Sequence, residues 1–134
     1  MASGYLLDTG VANRAAAGDT GTLRRIEAAA VFFVPEIVLG ELYSGAYWFA
    51  HVHNSTKYLD RYDEFRRRYH RALLPCDADT AQFYGTMYAE LRSKGQLIQT
   101  NDLWIAALAR EHGLTLATID GDFSRIQDFD FERW

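Results

Sequence analysis

Four carboxylates stand apart from the other acids of this chain by what surrounds them: Asp8 in "YLLDTG", Glu41 in "VLGELYSG", Asp102 in "TNDLWIAAL" and Asp120 in "LATIDGDF". No Lys or Arg lies within three residues of Asp8, Glu41 or Asp102. Taken singly, most of them have ordinary explanations. Asp8 could cap a helix or close a turn, and Asp120, with Gly121 and Asp122 behind it, could form a turn. Asp102 suits the first turn of a helix, where the macrodipole favours a carboxylate by ~0.3–1 kcal/mol. Asp122 reads as a turn or cap residue. Glu41 is harder to dismiss. Between Ile37 and Ala50 the residues that are not apolar are Gly40, Glu41, Ser44 and Gly45, and on a helix these share one arc. A lone ionised Glu in such a strip is unfavourable without a cation or hydrogen bonds. Four carboxylates gathered without counter-charge would repel and hold protons. A hard divalent cation with oxygen preference, Mg²⁺ or Mn²⁺, resolves that conflict. No Cys or His pair has zinc-site spacing, and His112 reads as a helix C-terminal residue.

The elements around these residues can bring them together. "GYLLD", "VFFV", "ALLP", "LTLATI" and "FDFERW" read as short strands. Helices are expected over "TGTLRRIEAAA" with Thr20 or Thr22 as cap, over "EIVLGELYSGAYWFAHVH" after Pro35, and over a basic segment opened by Asn54 and Ser55. Two more follow: "TAQFYGTMYAELRSKG", capped by Asp79 or Thr80 and ended by Gly95, and "TNDLWIAALAREHG", with Thr100 at the cap and Gly113 after the end. Strands alternating with helices imply a three-layer α/β sandwich: a mainly parallel central sheet of four to five strands with helices on both faces. Functional groups in such sheets gather at the carboxyl ends of the strands. Asp8 and Asp120 are expected there, and Glu41 and Asp102 lie in early turns of helices beginning at the same edge.

Length and composition fit this reading. The 134 residues are expected to form a single domain over 1–134. No apolar run approaches the ~20 residues of a membrane span, no export signal is visible, and Cys76 is alone. Cytoplasmic location is expected, with Cys76 as a small packing residue. The net charge of −4 would argue against a nucleic-acid partner, but it is unevenly spread. Residues 57–71, "KYLDRYDEFRRRYHR", carry six of the fourteen Lys and Arg and three of the eighteen acids, which makes the segment +3 and the remainder −7. Arg66, Arg67, Arg68 and Arg71 are therefore possible RNA contacts, and a solvated helix face is the competing explanation.

The ordered set "YLLDT", "VPEIVLGELYSGA", "NDLWIAALAREHGLTLAT" and "D..DF" resembles PIN domains, in particular the VapC-type toxin ribonucleases of bacterial toxin–antitoxin pairs. The resemblance runs over nearly the whole chain. It implies a Mg²⁺- or Mn²⁺-dependent endoribonuclease whose metal-binding, catalytic acids are Asp8, Glu41, Asp102 and Asp120. Thr9 and Thr118 would support them, Thr118 as the hydroxyl residue that the family often places beside the last acid. Two positions depart from the family's pattern. Gly10 stands where Asn or Ser is common, and Ile119 stands where Asn is common. The resemblance further implies a homodimer and a small cognate antitoxin. Its tail is expected on the strip of Gly40, Glu41, Ser44 and Gly45 between Tyr43, Tyr47 and Trp48, with an Arg reaching the acids. Other readings are an aspartyl-phosphate-type phosphatase, which wants a second Asp where Gly10 stands, a receiver domain, and a non-catalytic metal- or RNA-binding module.

Overall fold

The computed structural model describes residues 4–134. Five short strands, β1 (Tyr5–Leu7), β2 (Phe32–Pro35), β3 (Leu73–Leu74), β4 (Thr115–Thr118) and β5 (Phe131–Arg133), pair in the order β3-β2-β1-β4-β5. Every pairing is parallel. Six helices connect them and cover both faces: α1 (Thr9–Ala16), α2 (Thr20–Ala28), α3 (Glu36–His53), α4 (Lys57–Arg68), α5 (Ala78–Ser93) and α6 (Thr100–His112). Strands covered on both faces carry apolar runs rather than alternation. Accordingly Leu6, Leu7, Val34, Leu116 and Ala117 are all fully buried. Helix α6 is buried just as deeply from Ile105 to Ala109, which fixes the position of its first turn against the sheet. No helix among the described residues is long and apolar enough to cross a membrane.

Several local expectations need adjustment. Residues 9–19 carry no assigned element in the sequence reading, yet α1 forms there. Its core stripe is Val11, Ala12 and Ala15, too small to stand out as a hydrophobic pattern. Asp19 caps α2, accepting the Thr22 amide at 2.9 Å, and Asp77 caps α5 in a reciprocal box with Thr80. In both cases an upstream carboxylate displaces the expected hydroxyl or later acid as the cap. Asn54 does not open the basic helix. It closes α3 in the left-handed conformation (φ 50°), and α4 starts at Lys57. Thr100 is the first residue of α6, with Gln99 at the cap position. Cys76 is exposed rather than packed inside.

The chain builds β1, β2 and β3 outward in one direction, then crosses back to place β4 and β5 on the other side of β1. The order reverses between β1 and β4. At such a switch point the connections leave in opposite directions and open a crevice at the strands' carboxyl ends. Asp8 follows β1 directly and Asp120 follows β4 by two residues, so both border that crevice.

Candidate active site

Asp8 lies at the centre of the crevice. Its extended backbone (φ −72°, ψ 166°) ends β1 and caps α1, and its amide donates to the Ala117 carbonyl of β4 at 2.9 Å. Each carboxylate oxygen has one donor: the Thr9 amide to Oδ1 at 2.8 Å and the Thr118 hydroxyl to Oδ2 at 2.7 Å. Thr118 is completely buried, and its oxygen in turn accepts the Asp120 amide at 3.0 Å. Asp120 Oδ1 accepts the Asp122 amide at 3.0 Å. The turn explanation of Asp120 and its membership of the crevice are therefore both true. One oxygen closes the turn while Thr118 ties its backbone to Asp8.

The electrostatics bring in the other acids. Burial pushes the Asp8 carboxyl above its ordinary value and the Asp120 charge adds to this, against the bonds from Thr118 and Thr9. Burial also raises Glu41, with the Asp8 charge contributing. The Thr9 hydroxyl pulls Glu41 the other way, yet no hydrogen bond of good geometry joins them: Thr9 Oγ1 and Glu41 Oε1 are buried polar atoms without a partner. Asp102, in the first turn of α6, is lifted to about 6, first by burial and then by the charges of Asp8, Glu41, Asp120 and Asp122. Among the described residues no cation contributes to the shifts of these three carboxyls. The crevice thus joins all four expected acids and adds Asp122, which the sequence reading left in the turn. The signal for Asp122 is its spacing two residues after Asp120, which returns it to the same edge.

The acids are close but do not form a closed cage. Among the described residues, the group of three whose ligand atoms all lie within 4.8 Å of one another is Asp77, Asp79 and Glu111, on the α5 N-terminus and α6 C-terminus. No three of Asp8, Glu41, Asp102 and Asp120 meet that distance. The donor set is nonetheless all oxygen, partly desolvated and mutually repelling. The orphaned Glu41 Oε1 adds a buried acceptor in need of a donor or cation. A hard divalent ion fits these residues.

A family model for the PIN domain matches residues 5–128. The chain belongs to the PIN-domain family. It is similar to Ribonuclease VapC5 of Mycobacterium tuberculosis, 38% identical over 53 residues that make up 40% of this chain and 39% of that protein. The matched stretch thus spans about two fifths of that relative's length. Among solved structures, VapBC2 from Rickettsia felis bound to a promoter DNA fragment superposes with a TM-score of 0.82 at 27% identity, covering 97% of this chain and 98% of that one. DNA-bound VapBC from Salmonella typhimurium gives 0.80 at 24% identity, covering 98% of both chains.

The two departures from the PIN pattern prove to be in contact. A Cβ on Gly10 would stand 2.5 Å from Ile119 Cδ1 and 2.7 Å from Cγ1, so the Ile119 side chain occupies the space that any larger residue 10 would need. The four arginines expected to contact RNA separate. Arg66 lies by the Tyr43 hydroxyl, and Arg67 pairs with Glu64 at 2.8 Å. Arg68 and Arg71 border a cleft on another part of the molecule.

Proposed function

We propose that this protein is a divalent-metal-dependent endoribonuclease and the toxin of a toxin–antitoxin pair. The observation that carries the reading is the crevice itself: Asp8, Glu41 and Asp102 are raised by burial and by neighbouring carboxylates, and among the described residues a buried Glu41 oxygen is left without a partner. Asp8, Glu41, Asp102 and Asp120 would hold Mg²⁺ or Mn²⁺. When bound, the ion supplies a lowered pKa for water and a counter-charge for the phosphoryl oxygens. The rest is work for this chain's own groups. Thr9 and Thr118 fix the orientation of the Asp8 carboxylate, and Thr118 ties the backbone of Asp120 to it. The surrounding apolar core keeps the effective dielectric low, so each charge placed here acts more strongly than it would in water.

RNA is the proposed substrate, supported by the likeness to a protein named a ribonuclease and by the basic α4 segment. A small antitoxin is the proposed partner. One structural neighbour is described as a member of the VapBC family of toxin-antitoxin systems. On this chain Tyr47 (63% exposed) and Trp48 (67%) flank the small-residue strip of α3 that runs past Glu41. Self-association into a homodimer completes the proposal.

The decisive variant is Asp120→Asn. Its side-chain carbonyl can still accept the Asp122 amide, so the turn survives while the charge is lost. The variant should melt no lower than wild type in chelator and lose most of the stabilisation that wild type gains from added Mg²⁺ or Mn²⁺. Its RNA cleavage should fall by orders of magnitude. Equal metal-induced shifts together with retained cleavage would return Asp120 to a turn residue alone.

A further inference from the structure

One roomy cleft of the molecule lies away from the acids. It lies at the amino ends of β2 and β3, has a volume of about 600 Å³, and is bordered by Phe32, Phe33, Arg68, Tyr69, His70 and Arg71 among others. Its origin is a register effect. β3 pairs only with Val34 and Pro35, and the preceding residues His70–Ala72 wind into a 3₁₀ turn. No strand therefore runs beside Phe32 and Phe33 on that side, and a notch is left in the sheet edge. Basic groups border the notch and no carboxylate lines it. Among the described residues no acid pairs with Arg68 or Arg71, in contrast to Arg67 with Glu64. The Arg68 guanidinium lies 5.3 Å from the centre of the Tyr69 ring, which in turn meets Phe32 edge-on at 5.4 Å.

We propose that this cleft binds a single-stranded stretch of the RNA substrate remote from the bond that is cut. Its phosphates would sit on Arg68 and Arg71, and a base would lie against the Arg68–Tyr69–Phe32 surface. Cationic grooves with stacking surfaces are the physical requirement for holding single-stranded nucleic acid, and about 600 Å³ is room for a nucleotide-sized group. A second copy of this chain is disfavoured, since a symmetric contact would set Arg68 and Arg71 against themselves. Tyr5 is level with Phe32 and Asp8 lies three residues beyond Tyr5, so cleft and acids are separated by about 10 Å along the strands. A dinucleotide has one phosphate and cannot serve both places, whereas a longer strand can. The proposal rests on the ribonuclease reading for the identity of the strand but not for its binding.

The test measures binding, in chelator, of a long unstructured RNA as a function of salt. Arg68→Gln/Arg71→Gln should weaken binding about tenfold or more and reduce the log–log salt slope by about 1.4, at about 0.7 per phosphate lost. Arg66→Gln/Arg67→Gln removes the same charge from the same segment and should do much less. With metal present, the cleft variant should raise KM for the long RNA and leave cleavage of a dinucleotide unchanged. Equal weakening by both double variants would make residues 57–71 a diffuse charge and overturn the proposal, as would no change in either. Displacement of the RNA by polyglutamate at matched charge concentration would assign the cleft to acidic peptides and also overturn it. Cleft-dependent RNA binding by a wild-type protein that never cuts would sustain this proposal and remove the ribonuclease one.

Discussion

Two groups of carboxylates contrast in this molecule, and distance and unmet bonding rank them in opposite order. Asp77, Asp79 and Glu111 are the tighter cluster. Asp77 accepts the amides of Asp79 and Thr80 at 3.0 and 3.1 Å, Glu111 accepts the Thr80 hydroxyl, and His112 stands 3.5 Å from Glu111. The Asp77 carboxyl is accordingly held below its ordinary range, first by the Thr80 amide. The group around Asp8 is looser, yet the carboxyls of Asp8, Glu41 and Asp102 are pushed up, and among the described residues one oxygen of Glu41 has no hydrogen-bond partner. Proximity of acids marks a helix cap as readily as a metal site. Unmet bonding capacity separates them, because only an unsatisfied group gains much from a new partner.

The largest effect that would sharpen this contrast is on cleavage. Asp102→Asn should abolish RNA cleavage by two or more orders of magnitude, while Asp79→Asn and Glu111→Gln should keep it within about twofold of wild type. Comparable losses in both groups would erase the distinction. Next comes stability. Thr80 is fully buried and holds the α5 cap, so Thr80→Val should destabilise the fold by about 1–3 kcal/mol in denaturant melts. Metal-induced stabilisation should persist in that variant.

Acid titration of the metal-free protein should give Asp102 and Asp77 opposite signs. The folded-state pKa of Asp102 is raised to about 6 from 3.8, so as pH falls through 6 the folded chain takes up a proton that the unfolded chain does not. Stability should rise between about pH 7 and pH 5, and Asp102→Asn should flatten the rise. Asp77, with its pKa lowered, contributes stability above its unfolded value of 3.8 and loses it as pH falls through its folded value, so its effect is confined to strong acid. A metal-free protein that weakens steadily from pH 7 downward would contradict the assignment of repulsion to the crevice. The smallest effect concerns the loop that carries Asp120. Gly10→Ala should gain up to about 1 kcal/mol of helix propensity in an Ile119→Ala background and lose that gain when Ile119 is present. A double-mutant cycle of thermal melts reads the difference.

What was legible in the sequence follows from the same physics. The inner strands were readable because parallel strands covered on both faces are apolar runs, and α6 because its apolar residues end at the Gly113 cap, although its N-cap is Gln99 and not the expected Thr100. Helix α1 was not, since its core stripe of Val11, Ala12 and Ala15 has no large side chain. The acids could be singled out from their missing counter-charges, and the family pattern supplied Thr118. Asp122 looked like a turn residue and is one, but its charge also reaches Asp102. The contact of Gly10 with Ile119 joins residues far apart in the chain and leaves no local trace. The notch beside Phe32 was equally invisible, because it depends on where a two-residue strand happens to start.

The hydrogen bond from Thr118 to Asp8 spans 110 residues. A polypeptide leaves the ribosome from its N-terminus at roughly 5–20 residues per second, so β1 with Asp8 emerges seconds before β4 exists. Until the last strands are made, Asp8 lacks the neighbour that orients it, and the sheet lacks the side on which Asp120 sits. A nascent or prematurely terminated chain therefore carries most of the acids but no assembled crevice.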